Sequence, residues 1–215
     1  MTLSRRNDAE VDALVIGAGP AGSATAALLA RQGWRVLVAD RDGFPREKAC
    51  SEYMSPAAVR VLSDLGVVPG LEAAGAVPLA GTDVRTAGGG RLAGRFAPSI
   101  RAPFPPSGLS VPRRVLDREL VRAARAAGAL VLEHAQLGDL EREDGRVVGA
   151  ALSTRDGPMR VRARVVVGAD GLRSRVARSL GRRRRGMADT LVGVTGELRP
   201  ARHVLNPLFL ARMVV

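Results

Sequence analysis

The chain has 215 residues, 46% of them hydrophobic, enough for one sizeable domain or one and a half, with neither a disordered nor a fibrous composition. Its formal charge of +12 is almost wholly arginine, since Lys48 is the only lysine; the arginines are scattered and aromatics are few, which speaks for coding bias and against nucleic acid as partner. A lone cysteine, Cys50, excludes an internal disulfide, and with His134 and His203 the only histidines no zinc-ligand spacing exists, so no metal site is expected and a reducing cytoplasm is the expected compartment.

Arg5-Arg6 followed by an apolar stretch from Ala13 to Ala30 has the look of a signal peptide. Asp8, Glu10 and Asp12 interrupt its approach, however, and glycines and Pro20 break the apolar run. A nucleotide-binding turn explains the stretch better. Asp12 to Ile16 reads as a short buried strand. Gly17-Ala18-Gly19-Pro20-Ala21-Gly22 follows at once, a G-x-G-x-x-G that opens a helix to about Gln32, with Gly33 as its stop. Gly17 suits the tight turn, Gly19 the approach of a pyrophosphate, and Gly22 close packing of helix on strand. Pro20 and Ala21 supply the first helical turn, where a missing N–H costs nothing. Arg35 to Ala39 is the next strand. Asp40 closes it as a carboxylate able to accept two hydrogen bonds from a ribose diol, and the unit therefore reads as dinucleotide-binding.

Residues 41 to 54 form a loop dense in charge, and Pro56 opens a helix to about Leu65. Residues 67 to 110 alternate short apolar pieces (Thr82–Thr86, Arg91–Phe96) with Gly88-Gly89-Gly90 and several prolines, the texture of hairpins outside a parallel sheet. A helix is predicted over 113–127 and a buried strand over 130–132. Three alternating stretches, 136–142, 147–153 and 159–164, turn at Asp144-Gly145 and Asp156-Gly157 and predict a β-meander. Val165-Val166-Val167 is a fourth parallel strand, leading through Gly168-Ala169-Asp170-Gly171 to a helix over 172–180. After the arginine run 182–185 only weak strand patterning near Leu191–Val194 remains. The expected fold is α/β: a Rossmann-like parallel sheet over 1–66 and 111–181 with an inserted meander, and part of a β-rich layer over 67–110 and 182–215.

Three blocks give the chain a resemblance to the N-terminal part of FAD-dependent oxidoreductases of the aromatic-ring hydroxylase and geranylgeranyl reductase-like class. They are the glycine turn with Asp40, Arg113-Arg114-Val115-Leu116-Asp117 with Leu120, and Gly168-Ala169-Asp170-Gly171 with Ser174. Phe44-Pro45-Arg46-Glu47-Lys48-Ala49-Cys50 is similar to the reductase branch, although Ser51 stands where that branch has glycine. The resemblance implies that Gly17, Gly19 and Gly22 hold the FAD pyrophosphate, and Asp40 the adenosine ribose, with Arg41 adding charge beside it. Arg113 would reach the pyrophosphate or ribityl chain. Leu137 would lie where backbone passes the adenine, and Asp170 and Gly171 near the ribityl chain and the nicotinamide cofactor. Arg46 and Lys48 would either stabilise reduced flavin or be solvated, and Cys50 would either shape a substrate pocket or be an inert buried thiol.

The expected activity is NAD(P)H-driven reduction of an isoprenoid-like alkene, with O₂-dependent hydroxylation of an organic substrate as the alternative. The partners implied are a small-molecule substrate and, for a lipid substrate, peripheral contact with a membrane. A nicotinamide dehydrogenase is disfavoured because Tyr53 is the only tyrosine and no lysine stands four residues on. A non-catalytic nucleotide-binding remnant is the other rival. No Gly-Asp-Ala block follows residue 172, Ala188-Asp189 lacks its glycine, and the last residues, Met213-Val214-Val215, are apolar. A truncated chain, or one with a frameshifted tail, that binds FAD weakly and does not turn over is therefore expected.

Overall fold

The computed structural model describes residues 8–48, 50, 52–86, 88–98 and 105–181, with the backbone of 209–214. Ser51, the arginine run, Ala188-Asp189 and the patterning near Leu191–Val194 lie outside the described residues. Two compact units emerge, one of Met1–Glu47 with Leu116–Leu191 and one of Lys48–Val115 with Val192–Val215.

The first unit is built on one six-stranded sheet. Strand β1 (Asp8–Ile16) leads through the glycine turn to helix α1 (Pro20–Arg31) and β2 (Val36–Ala39), which lies parallel to β1. This β-α-β unit is what the sequence predicts, except that β1 begins four residues earlier, at Asp8 instead of Asp12. Its first half alternates, with Ala9 and Val11 buried while Asp8 and Glu10 face solvent. The acids that argue against a leader peptide are the exposed face of an edge-to-centre strand.

Later in the chain come β8 (Leu130–Leu132), β9 (Gln136–Glu143), β10 (Arg146–Thr154) and β11 (Gly157–Gly168). The sheet order is β8-β2-β1-β11-β10-β9, parallel from β8 to β11 and antiparallel through β10 and β9. The expected meander is present as β9-β10-β11, and its third strand is continuous with the valine strand that the sequence reads as separate. Residues 157–168 form one continuous strand, whose register with β1 runs unbroken from Asp8↔Arg160 to Ile16↔Gly168. The same strand carries the antiparallel hairpin with β10 on its other edge, from Thr154↔Gly157 to Gly149↔Arg162. The meander thus extends the main sheet. Val11, Leu14, Ile16, Leu37, Leu137, Leu152, Val161 and Ala163 make one apolar face of this sheet, closed by Val176 from α5 (Arg175–Ser179). Helix α1 packs on β1 and β2.

The second unit holds β3 (Tyr53–Met54), α2 (Pro56–Asp64), α3 (Val68–Ala73), β4 (Val77–Leu79), β5 (Gly81–Thr86), β6 (Arg91–Arg95), β7 (Gly108–Ser110) and β12 (Phe209–Val214). They form two antiparallel sheets, β3-β7-β4 and β12-β5-β6. The opening segment of the first unit extends to Glu47 by contacts, where the sequence reads a boundary after residue 66, and the unit resumes at Leu116. Helix α2 packs on β7 and β3, so the chain from Lys48 onward folds with the small sheets. Helix α4 (Arg113–Ala126) begins in the second unit and from Leu116 onward belongs to the first.

Candidate functional site

In the first unit the ends of three parallel strands are tied together by backbone. Gly17 N–H donates to Ala39 O at 2.8 Å, and Ala169 N–H donates to Ile16 O at 2.8 Å. Gly17 has φ +101, and a Cβ there would stand 2.5 Å from Ala169 O. A Cβ on Gly22 would run into Gly17 O. These two glycines answer to the protein's own packing: the turn after β1 is wedged between its helix and the turn after β11. Ser23, buried one turn into α1, donates from Oγ to Ala18 O at 2.9 Å and holds the loop from below.

Gly19 differs from both. Within 4 Å of a Cβ placed there, the single neighbour among the described residues is Nη2 of Arg46, at 3.6 Å. Nothing in the fold requires glycine at this point, yet the Cα face is left clear. Gly19 is also the N-cap of α1, extended at φ −70 and ψ −175, and has no side-chain cap; Pro20 follows at N1. The helix therefore presents first-turn N–H groups and the positive end of its dipole with no side-chain oxygen over them. A clear Cα face on an uncapped helix end suits the pyrophosphate of a dinucleotide.

Asp40 sits beside this turn, 4% exposed. Its Oδ2 accepts from Ala18 N–H at 2.6 Å, and its Oδ1 from Asp42 N–H and from Arg46 Nη1, both at 2.9 Å. A carboxylate has about four acceptor positions. Three are filled by described residues, which leaves about one. The extra job of this residue is to brace the glycine loop through Ala18.

Arg46 is neither solvated nor loosely placed. Its side chain is 10% exposed; Nη1 bonds Asp40 and, at 2.8 Å, Asp42 Oδ2, while Nε bonds Asp117 Oδ2 at 3.2 Å. The Phe44 ring lies under the guanidinium, 4.7 Å from centroid to Cζ. Arg46 is thus brought to the glycine turn, with Nη2 facing Gly19. The loop that carries it is clamped by Glu133, whose Oε2 accepts from Phe44 N–H at 2.9 Å and whose Oε1 accepts from Arg125 Nη2 at 2.7 Å. Burial pushes the Glu133 carboxyl up. The bonds from Phe44 and Arg125, with the charges of Arg125 and His134, outweigh it and leave the group below its ordinary value.

The other expected residues fall into two groups. Asp170 lies at the second turn, but its oxygens are engaged by helix α5: Oδ1 takes the Ser174 hydroxyl, and Oδ2 takes the N–H groups of Arg175 at 2.6 Å and Val176 at 3.3 Å. Gly171, at φ +81, makes that turn possible. The helix starts at Arg175, not at 172, because these residues form its cap. The Leu137 side chain is core, and its carbonyl accepts from Arg175 Nη1 at 2.6 Å. Arg41 is exposed and faces Asp42 at 3.7 Å. Arg113, Lys48 and Cys50 belong to the second unit; Arg113 and Cys50 are half-buried and Lys48 is exposed. Among the described residues no group of His, Cys, Asp and Glu has the arrangement of a metal site.

Sequence reasoning gave no role to Asp42, Asp117 and Glu133. Only Asp117 left a signal: it is a carboxylate on the same helical stripe as Leu120, Val121 and Ala124, all buried. An acid on an apolar stripe needs a partner, and Arg46 is one.

Comparison with known proteins bears on the same segment. A family model described as "FAD binding domain" matches residues 10–210. The menaquinone reductase of Mycobacterium tuberculosis (strain ATCC 25618 / H37Rv) is 38% identical over 176 residues, 82% of this chain and 41% of that protein. Digeranylgeranylglycerophospholipid reductase 2 of Methanopyrus kandleri is 38% identical over 178 residues, 80% of this chain and 40% of that protein. Among solved structures, the myxobacterial chondrochloren halogenase superposes with a TM-score of 0.68 at 30% identity, over 78% of this chain and 38% of that one. The chain thus spans about two fifths of the length of these relatives, the part that builds the glycine turn and its neighbours. It belongs to the FAD binding domain family.

Proposed function

We propose that this chain is the FAD-binding part of a flavin-dependent reductase that passes reducing equivalents from NAD(P)H to an isoprenoid-like substrate, with alkene reduction as its reaction. The observation that carries the flavin reading is the wedge of Gly17 between Gly22 and Ala169, with the Gly19 face left clear except for the Arg46 guanidinium. The backbone of Gly17, Gly19 and Gly22 and the first turn of α1, from Pro20 and Ala21, would receive the pyrophosphate. Asp40 would accept from the adenosine ribose, and Arg46 would donate from Nη2. Bound FAD supplies the two-electron chemistry, which no side chain of this chain can. The reductase branch is favoured because two relatives at 38% identity are named as reductases of substrates that carry isoprenoid chains. The stretch from Phe44 to Cys50 favours the same branch. Cys50 would then shape the substrate pocket.

A second reading, O₂-dependent oxidation of an organic substrate, rests on the likeness to the halogenase and to the anhydrotetracycline hydroxylase from Streptomyces rimosus, 27% identical with a TM-score of 0.67. Among the described residues no helix is long and apolar enough to cross a membrane. Access to a lipid substrate would come through peripheral contact, which a basic protein can make with an anionic lipid face.

The deciding experiment has two steps. The purified protein should show flavin absorbance, and protein that carries none after incubation with FAD would end the flavin reading. Then, in the whole flavoprotein of which this chain is the FAD-binding part, NADPH or NADH should bleach the flavin without oxygen, and a prenylated quinone or alkene should restore it. Restoration by O₂ alone, with hydroxylated product, would favour the second reading.

A further inference from the structure

Arg46 is held on two edges and open on the third. Asp40 and Asp42 take Nη1, and Asp117 takes Nε. The Phe44 ring backs the guanidinium plane. Among the described residues Nη2 makes no hydrogen bond and is the one atom near a Cβ position on Gly19. A guanidinium beside two carboxylates would ordinarily present a parallel fork to one of them. Here the bond from Asp117 to Nε prevents that rotation and leaves Nη2 as the free edge. The anchor is rigid, because Asp117 is fully buried on α4 beside Leu120, Val121 and Ala124, which pack the helix in place.

We infer that Asp117 is a positioning residue for the dinucleotide: it fixes Arg46 so that Nη2 meets a phosphate oxygen in front of Gly19. This rests on the FAD reading above. Asp117 itself touches no ligand.

The sign of one substitution separates this role from simple electrostatics. Three carboxylates surround one guanidinium, so removing the charge of Asp117 should, by Coulomb's law alone, make the turn more attractive to a diphosphate. If Asp117 positions Arg46, removing its charge should weaken binding instead. Asp117→Asn keeps the shape and one acceptor. It should weaken FAD and ADP, titrated by fluorescence quenching and calorimetry, by on the order of tenfold, the usual scale for a lost charge-assisted hydrogen bond. Riboflavin, which lacks phosphates, should bind as it does to the parent protein. In an Arg46→Ala background the Asn should cost markedly less, since its effect on the phosphate is exerted through Arg46.

Equal or tighter ADP binding by Asp117→Asn, or an undiminished effect without Arg46, would overturn the inference while leaving the FAD reading intact. Failure of the parent protein to bind FAD or ADP at all would overturn that reading first. Should the Asn variant not fold, the parent protein still decides. The Arg46 Nε–H should exchange slowly with solvent and shift when ADP is added; fast exchange and no shift would refute the contact.

Discussion

The first unit contains two strand-to-helix turns that look alike in sequence and are used in opposite ways. Both follow strands of the same parallel sheet, and both open with glycine and alanine. After β1, helix α1 starts at Gly19 and Pro20 with no side-chain cap. After β11, helix α5 starts under two caps: Asp170 Oδ2 takes the N–H groups of Arg175 and Val176, and Ser174 Oγ takes that of Ala177 at 2.9 Å. Only the first turn keeps helix N–H groups available to an anion. The second turn is a wall: Ala169 supports Gly17, and Asp170 satisfies its own helix. An acid at a glycine turn is thus a poor guide to ligand contact until its hydrogen bonds are known.

The largest effect should come from closing the wedge between the turns. Gly22→Val places its side chain on Gly17 O, which is backbone and cannot move aside cheaply. Overpacking of this kind costs about 3 kcal/mol. The variant should lose FAD binding altogether and melt well below the parent; retained flavin absorbance would mean the pyrophosphate lies elsewhere. Next comes Asp40→Ala. It strips partners from Ala18 N–H, Asp42 N–H and Arg46, so both stability and FAD affinity should fall, each by about 1–3 kcal/mol. An unchanged melting temperature would show that the brace on Ala18 is idle.

Asp170→Ala should behave differently, and here the comparison is sharpest. Loss of a helix cap costs about 1 kcal/mol of stability. FAD affinity should fall less than in Asp40→Ala, because the oxygens of Asp170 are taken by α5. Equal losses of affinity in the two variants would show that the second turn binds ligand as directly as the first.

What sequence could show follows from how local each signal is. The glycine turn, α1, β2 and the hairpin turn at Asp144-Gly145 are determined by neighbours in the chain, and all stand as read. Both Asp144 and Gly145 have positive φ, the requirement that made the pair legible. The continuity of β11 was hidden because its burial pattern changes midway. Met159, Val161 and Ala163 alternate with exposed arginines, and then a valine run follows. The strand is kept whole by β1, more than a hundred residues earlier. Strands β3, β4 and β7 are two or three residues long and exist only through pairings such as Tyr53↔Ser110 and Pro78↔Leu109. The cluster around Arg46 joins two loop acids to Asp117 on a distant helix. No spacing rule covers such a contact, although the acid on the apolar stripe of α4 announces that a partner exists.

The smallest effect concerns pH and separates the two turns without altering either. Glu133 anchors the loop that carries Arg46 at Phe44, and among the described residues its hydrogen bonds go to Phe44 and Arg125. Its carboxyl lies below its ordinary value because the bonds from Phe44 N–H and Arg125, with nearby positive charge, outweigh burial. A folded-state value depressed below the unfolded one means that the unfolded chain binds the proton more readily. The stability Glu133 contributes is therefore fully present above the ordinary glutamate range and is lost as pH falls through the folded-state value. Glu133→Gln removes this titration. Between neutral pH and the acid limb the parent protein should lose stability more steeply than the Gln variant, and the two should converge once Glu133 is protonated. The loss should appear at the first turn: amide protection at Phe44 and across the Arg46 loop, taken relative to the intrinsic exchange rate at each pH, should fall on acidification, while protection at Arg175 and Ala177 should not follow it. Parallel acid profiles for parent and variant would show that the clamp contributes nothing. A matching loss of protection at both turns would show that they open as one, and the contrast between them would not extend to their stability.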